Sequence, residues 1–409
     1  GRRRALRLRA AHHPGHRARN ARRDLQHPAT GAWREGDPPG RRSWHHAETP
    51  LPLESGRHLP GVRIAYETWG RPAPDRSNAV LVLHALTGDS HLAGPAGPGH
   101  PAPGWWDALT GPGRPLDTDR WFLVVPNALG GCQGTTGPAS PGPDGRPWGP
   151  DFPHLTIRDQ VAAELLLADA LGIDRWAAVV GGSMGGMRAL EWAVGHPERT
   201  GALLVLAAPA AAGADQIGWS AAQGAAIRAD RGWRGGRYHD AAPGEGPHLG
   251  LGAARRIAHL TYRAGPGLEA RFGRAAQPGE DPADGGRHQI ESYLDHHADK
   301  LTRRFDAGSY LTLSAAMDSH DLGRGRGGTA AALARYRGPA LIAGVTTDRL
   351  HPLHQQRELA RALPGADPLA EIDSPHGHDG FLVETGQVGR LIRELLGRAL
   401  AQHPAPSAP

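Results

Sequence analysis

Trp176-Ala177-Ala178-Val179-Val180 runs straight into Gly181-Gly182-Ser183-Met184-Gly185-Gly186. The residues from Met184 to Val194 then have helical periodicity, closed by Gly195 with Pro197 just beyond. A short, wholly apolar run fits a strand buried on both faces. A G-x-S-x-G pattern at the passage from such a strand into a helix predicts a sharp turn with Ser183 at its tip. Glycines flank the serine because so tight a turn leaves little room for Cβ atoms. The start of the helix offers unpaired N–H groups to a developing negative charge. In a chain with 58 glycines the pattern alone would say little. Its place on a strand–helix boundary makes Ser183 the expected nucleophile.

Outward from this turn, the same apolar signal recurs at Ala79–Leu83, Trp121–Val125, Ala202–Leu206 and Ala340–Ala343, and Val62–Trp69 alternates as a half-buried strand does. A helical stretch from Ile157 to Leu171 is closed by Gly172. Strands alternating with helices predict an α/β fold, a mainly parallel sheet with helices on both faces. The alternation stops near Gly213 and resumes near Gly338. The core is therefore expected over 51–212 and 338–402, with 213–337 an inserted helical lid. Residues 1–50 lack any sustained period and read as a disordered, Arg-rich tail without function.

The chain has 409 residues, 39% of them hydrophobic, and a formal charge of +5. Residues 1–50 hold twelve Arg against four acidic residues, so the remainder is slightly acidic. Basicity confined to the tail argues against a nucleic-acid partner for the folded body. Cys132 is the only cysteine, which excludes an intramolecular disulfide and fits a cytoplasmic location. No apolar run approaches the ~20 residues of a membrane helix, and the N-terminus lacks the apolar segment of a secretory signal.

A serine hydroxyl needs a base, and the base an orienting acid, following the serine in the order acid, then histidine. Asp348 comes directly after the Ala340–Val345 strand, and His378 lies in the loop Pro375–Phe381. Asp373 and His376 are rivals for the two roles. The amides of Met184 and of Leu86, in the loop His84–Gly88 after an early strand, are the expected oxyanion donors.

The resemblance becomes specific in five stretches: Leu83–Asp89, Gly130–Pro138, Gly181–Met187, Ser319–Gly325 and Gly377–Phe381. Together they resemble the homoserine O-acetyltransferases of methionine biosynthesis, over about residues 50–398. The resemblance implies an α/β-hydrolase fold with Ser183 as nucleophile, Asp348 as acid and His378 as base. It implies substrate-binding roles for Arg255 and Asp379, with acetyl-CoA as co-substrate, L-homoserine as acceptor, no permanently bound cofactor, and a homodimer. The charges suit a zwitterionic acceptor: a guanidinium pairs with a carboxylate, and a carboxylate with an ammonium. Related enzymes on this scaffold use succinyl-CoA or act on serine, and a carboxylesterase could share the same triad.

Other suggestive clusters have plainer readings. His296-His297 with Asp295 and Asp299 is expected to be structural or at the surface, since adjacent histidines on a helix point apart, and no metal site is expected. Asp318–Asp321 is expected in the wall between lid and core, and Cys132 in a structural position. Gly130–Gly137 is not followed by the Lys-Ser/Thr pair of a phosphate loop.

Overall fold

The computed structural model describes residues 26–402. Eight strands form one sheet: β1 (Ser43–His46), β4 (Arg63–Trp69), β5 (Ala79–Leu83), β6 (Phe122–Pro126), β7 (Trp176–Gly182), β8 (Thr200–Leu206), β9 (Ala340–Val345) and β10 (Ala370–Ile372). A separate hairpin joins β2 (Leu51–Pro52) to β3 (His58–Leu59). The sheet order is β1-β4-β6-β5-β7-β8-β9-β10. β4 runs antiparallel to both neighbours, and every pairing from β6 onward is parallel.

The helices are α1 (Ile157–Ala170), α2 (Met184–Gly195), α3 (Ala214–Arg228), α4 (His248–Tyr262), α5 (Gly265–Phe272), α6 (Gln289–Thr302), α7 (Ala307–Asp318), α8 (Thr329–Leu333), α9 (Leu353–Ala362), α10 (Gly380–Val383) and α11 (Thr385–Gln402). The period-2 alternation of the strands divides the core. Leu81, Val179 and Leu203 face a cluster with Val161 of α1, Leu190 of α2 and Leu359 of α9. Val80, Val180 and Leu204 face Val388, Ile392 and Leu395 of α11. Both faces being covered explains why these strands read as unbroken apolar runs. Each fully buried Val or Leu contributes roughly 1.5–3 kcal/mol.

α1 begins at a capping box: the Thr156 hydroxyl accepts from the Asp159 amide, and the Asp159 carboxylate accepts from the Thr156 amide. Between β8 and β9 the described chain holds α3 to α8. α4 lies at the centre of this group, packed against α3 and α6.

The N-terminal expectation needs correction. Residues 1–25 lie outside the described residues, but 26–50 are not a disordered tail. Ser43–His46 pairs with β4 as an edge strand. Before it, the chain crosses from one part of the molecule to the other. The Thr302 hydroxyl bonds the His27 ring at 2.9 Å, Thr30 Oγ1 donates to Asp306 at 2.7 Å, and the Trp33 amide donates to Cys132 O at 2.9 Å. Arg42 is buried and donates to Gly99 O at 2.9 Å and to Gln133 Oε1 at 2.9 Å. This segment has no period because its bonds go to scattered remote partners rather than to a regular ladder.

Candidate active site

Ser183 sits between β7 and α2 with φ 54° and ψ −123°, a left-handed conformation that costs a non-glycine residue about 1–3 kcal/mol. The surroundings enforce it. Its amide donates to Leu206 O at 2.9 Å, fixing the elbow to the end of β8. A Cβ on Gly181 would lie 2.1 Å from Gly185 O, and one on Gly185 would lie 2.0 Å from Leu83 O, so backbone passes where any side chain would stand.

The structure brings Ser183, His378 and Asp348 into one line. His378 Nε2 lies 2.8 Å from Ser183 Oγ, and His378 Nδ1 lies 2.7 Å from Asp348 Oδ2. The other Asp348 oxygen accepts from the Leu350 and His351 amides at 2.8 and 2.9 Å. Burial alone would raise the Asp348 carboxyl, but His378 and these donors hold it below its ordinary value. Burial would lower His378, and the Asp348 carboxylate outweighs it, so the imidazole stands above its ordinary value. The rivals are elsewhere. His376 is exposed, 3.4 Å from Arg263, and Asp373 is exposed and meets Thr346.

Contacts invisible in the sequence steady this line. Thr347 Oγ1 donates to Ser374 O at 2.6 Å and accepts from the Gly377 amide at 2.9 Å, tying the acid loop to the histidine loop. The His378 ring is caged by Tyr262, His351 and Phe381, with centroids 5.9, 5.2 and 5.4 Å away. Burial first, then the neighbouring His378, lowers His351 to about 3, so it is uncharged at neutral pH.

The loop after β5 presents Leu86. Among the described residues, neither its amide nor that of Met184 donates to any protein group. The loop is held from below by His84, whose Nδ1 bonds Ala85 O at 2.7 Å while Nε2 accepts from the Ala128 amide. Burial first, then Arg188, lowers His84 to about 3, which leaves it neutral in this bridging role. Further along, Glu67 accepts from Ser90 Oγ at 2.8 Å and from His91 Nδ1 at 3.1 Å. His100 stacks on His91 at 3.8 Å, and its Nε2 accepts from the Arg41 amide. This buried Glu67–His91–His100 group went unremarked in the sequence. Its glutamate oxygens and two of its ring nitrogens are engaged in these bonds, and it braces the loop beyond Asp89.

A cavity of about 410 Å³ reaches Ser183 and His378, and its wall includes Leu86, Trp105, Arg255 and Asp379. That volume suits a small-molecule site. Arg255, on α4, lies over the Tyr262 ring at 5.5 Å and reaches Thr87 Oγ1 at 3.4 Å, with its buried Nε unpartnered. Asp379 Oδ2 lies 3.3 Å from Nε of Arg263, a residue that sequence reasoning passed over. Burial raises the Asp379 carboxyl, and Arg263 is the chief opposing influence. His297, expected to be structural or at the surface, stacks on His259 at 4.0 Å and borders this cavity. Asp321 bridges Ala211, and buried His320 bonds Pro209 O at 3.0 Å, a wall between helices and sheet. Cys132 is buried.

The elbow, the sheet and the buried Ser–His–Asp line define the class. A family model described as alpha/beta hydrolase fold matches residues 78–385. The chain is 63% identical over 371 residues to a homoserine O-acetyltransferase of Thermobifida fusca (strain YX), covering 91% of this chain and 98% of that one. It therefore belongs to the homoserine O-acetyltransferase family. Among solved structures, the homoserine O-acetyltransferase from Bacillus anthracis superposes with a TM-score of 0.79 at 27% identity, covering 87% of this chain and 97% of that one. Esterase E22 superposes at 0.78 and 26%, covering 87% and 100%.

Proposed function

We propose that the protein moves the acetyl group of acetyl-CoA to the γ-hydroxyl of L-homoserine through an acetyl-Ser183 intermediate, giving O-acetyl-L-homoserine. The observation that carries this reading is a nucleophile line opening into a cavity whose wall holds Arg255 and Asp379, charges of both signs for a zwitterion, in a chain of this family. In the first half-reaction His378 Nε2 takes the Ser183 proton as Oγ attacks the thioester carbonyl. The Leu86 and Met184 amides stabilise the oxyanion, and the proton passes to the departing CoA sulfur. In the second, His378 takes the proton of the homoserine hydroxyl, whose oxygen attacks the acetyl-serine carbonyl. The proton returns to Ser183 Oγ as that ester bond breaks. Arg255 holds the α-carboxylate and Asp379 the α-ammonium. The helices α3 to α8, within residues 213–337, act as a lid that keeps water from the acyl-enzyme. No permanently bound cofactor is needed.

The competing reading is a carboxylesterase, favoured by the close superposition on esterase E22. CoA release from acetyl-CoA, measured with and without L-homoserine and with the product weighed by mass spectrometry, separates them. Strong stimulation by homoserine and a product heavier by one acetyl group are expected. Release indifferent to homoserine overturns the transferase reading.

We also propose a cytoplasmic homodimer. No helix among the described residues is long and apolar enough to cross a membrane. Trp219 of α3 and Leu249 of α4 are exposed apolar side chains on the lid, and we place the contact with a second copy at Trp219. A Trp219→Glu variant that leaves the mass in solution unchanged at the dimer value overturns that placement.

A further inference from the structure

The cavity holds more positive charge than the proposed roles use. Arg263 is neutralised by Asp379, and Lys300 is exposed at the rim. Arg304 also borders the cavity, just past the end of α6, and among the described residues no carboxylate pairs with it. Its neighbours on the helix differ: Arg303 pairs with Asp299 at 3.0 Å, and Asp295 is taken by Arg256 at 2.8 Å. A half-buried guanidinium without a counter-ion is a ready partner for an anion. Burial lowers Arg304 from its ordinary value, Asp89 opposes that, and the nearby Arg255 adds to it. Two like charges thus stand together on the wall of the cavity.

Their meeting point is Thr87. Arg304 Nη1 donates to Thr87 O at 2.8 Å, and Arg255 Nη1 lies 3.4 Å from Thr87 Oγ1. Thr87 directly follows Leu86, the expected oxyanion donor. In homoserine only three carbons separate the hydroxyl from the carboxylate. The carboxylate's partners must therefore stand beside the oxyanion loop, not at the mouth of the cavity. Thr87 is at that place.

We propose that Arg304 is a second binding residue for the acceptor's carboxylate, forming with Arg255 a two-guanidinium clamp hinged on Thr87. The proposal rests on the acetyltransferase reading and deepens it. Arg255 approaches from α4 and Arg304 from the end of α6, so the carboxylate links two lid helices through one anion. A planar guanidinium can give each oxygen a charge-assisted bond, which a water molecule or an uncharged alcohol cannot reciprocate.

The test compares two acceptors, L-homoserine and 3-aminopropan-1-ol, which keeps the hydroxyl and the amine and lacks the carboxylate. In full-length enzyme, Arg304→Gln should lower kcat/KM for homoserine about ten- to a hundredfold more than for the amino alcohol. Arg304→Lys, which retains charge and loses the fork, should give an intermediate ratio, and it supplies the reading if the glutamine variant does not fold. An unchanged ratio, with both acceptors falling together or neither falling, overturns the clamp and leaves Arg304 a brace for the Thr87 loop. If the unaltered enzyme acetylates neither acceptor, the acetyltransferase reading itself fails, and the clamp with it.

Discussion

At the scale of single residues, Ser183 carries the sharpest expectation. Ser183→Ala should reduce CoA release and acetyl transfer by about 10⁴-fold or more while leaving the circular dichroism spectrum unchanged. Activity above a few per cent in a contaminant-free preparation would remove it as nucleophile. His378 supplies a pH prediction. Its base form is the neutral imidazole, and the Asp348 carboxylate stabilises the charged form, so the base is lost on acidification earlier than from an ordinary imidazole of 6.5. The acylation rate with p-nitrophenyl acetate should therefore climb through an inflection above 6.5. In Asp348→Asn only burial remains to act strongly, and the inflection should move down, along with a large fall in the plateau. A wild-type inflection below 6.5 would contradict the pairing. The nucleophile was legible because G-x-S-x-G needs local context alone. Asp348 and His378 took chain order and the family motifs to choose them over Asp373 and His376. Arg263 and Arg304 were not legible. In a chain whose basic residues are all arginine save Lys300, nothing local separates a paired surface arginine such as Arg303 from a cavity arginine one residue on.

At the scale of elements, the central strands and the first helices could be read from periodicity because both sheet faces are covered, whereas the edge strand β1 could not. What periodicity does not reveal is how α1 and α2 lock together. Arg188 of α2 is fully buried and donates to Glu164 of α1 at 2.7 Å and to His84 O at 2.6 Å. Trp192 Nε1 donates to the other Glu164 oxygen at 2.7 Å. One carboxylate thus fixes both helices, and one guanidinium links them to the root of the oxyanion loop. Arg188→Met should cost roughly 3–5 kcal/mol, because Glu164 would keep its place in the core without its partner. Adding Glu164→Leu should recover much of that loss, since an apolar pair replaces an orphaned charge. Urea midpoints of the single and double variants check this. A double variant no more stable than the single one would show that the pair is worth more than its desolvation cost.

At the scale of the whole molecule, the sequence misjudged what the N-terminal segment does. An irregular segment whose partners are hundreds of residues away leaves no periodic trace, and an Arg-rich composition looks like a tail. Yet Asp306 is wholly buried and accepts from Thr30 and from Tyr238, each at 2.7 Å, with the His239 ring 3.2 Å away. Burial would raise this carboxyl, but His239, Tyr238 and Thr30 hold it well below its ordinary value. Removing residues 1–50 deletes β1, the Thr30 donor and buried Arg42 together. The truncated protein should lose about 3–6 kcal/mol, read as a clear fall in the urea midpoint. A variant lacking only residues 1–25 keeps all these contacts and is the control. An unchanged midpoint after removal of 1–50 would show that the segment merely lies on the surface.

The bond between His27 and Thr302 spans 275 positions in the chain, and that between Ser183 and His378 spans 195. A ribosome delivers the first of each pair long before the second. The emerging chain must therefore carry the His27 and Thr30 side chains without Thr302 and Asp306 until residues 302–306 have been made, and Ser183 without His378 until a later point still. Contacts this distant in sequence are slow to form. Any early folding unit built from the first strands would thus hold an incomplete cavity and be chemically silent, so the reactive serine comes into being only once the chain has been made past His378.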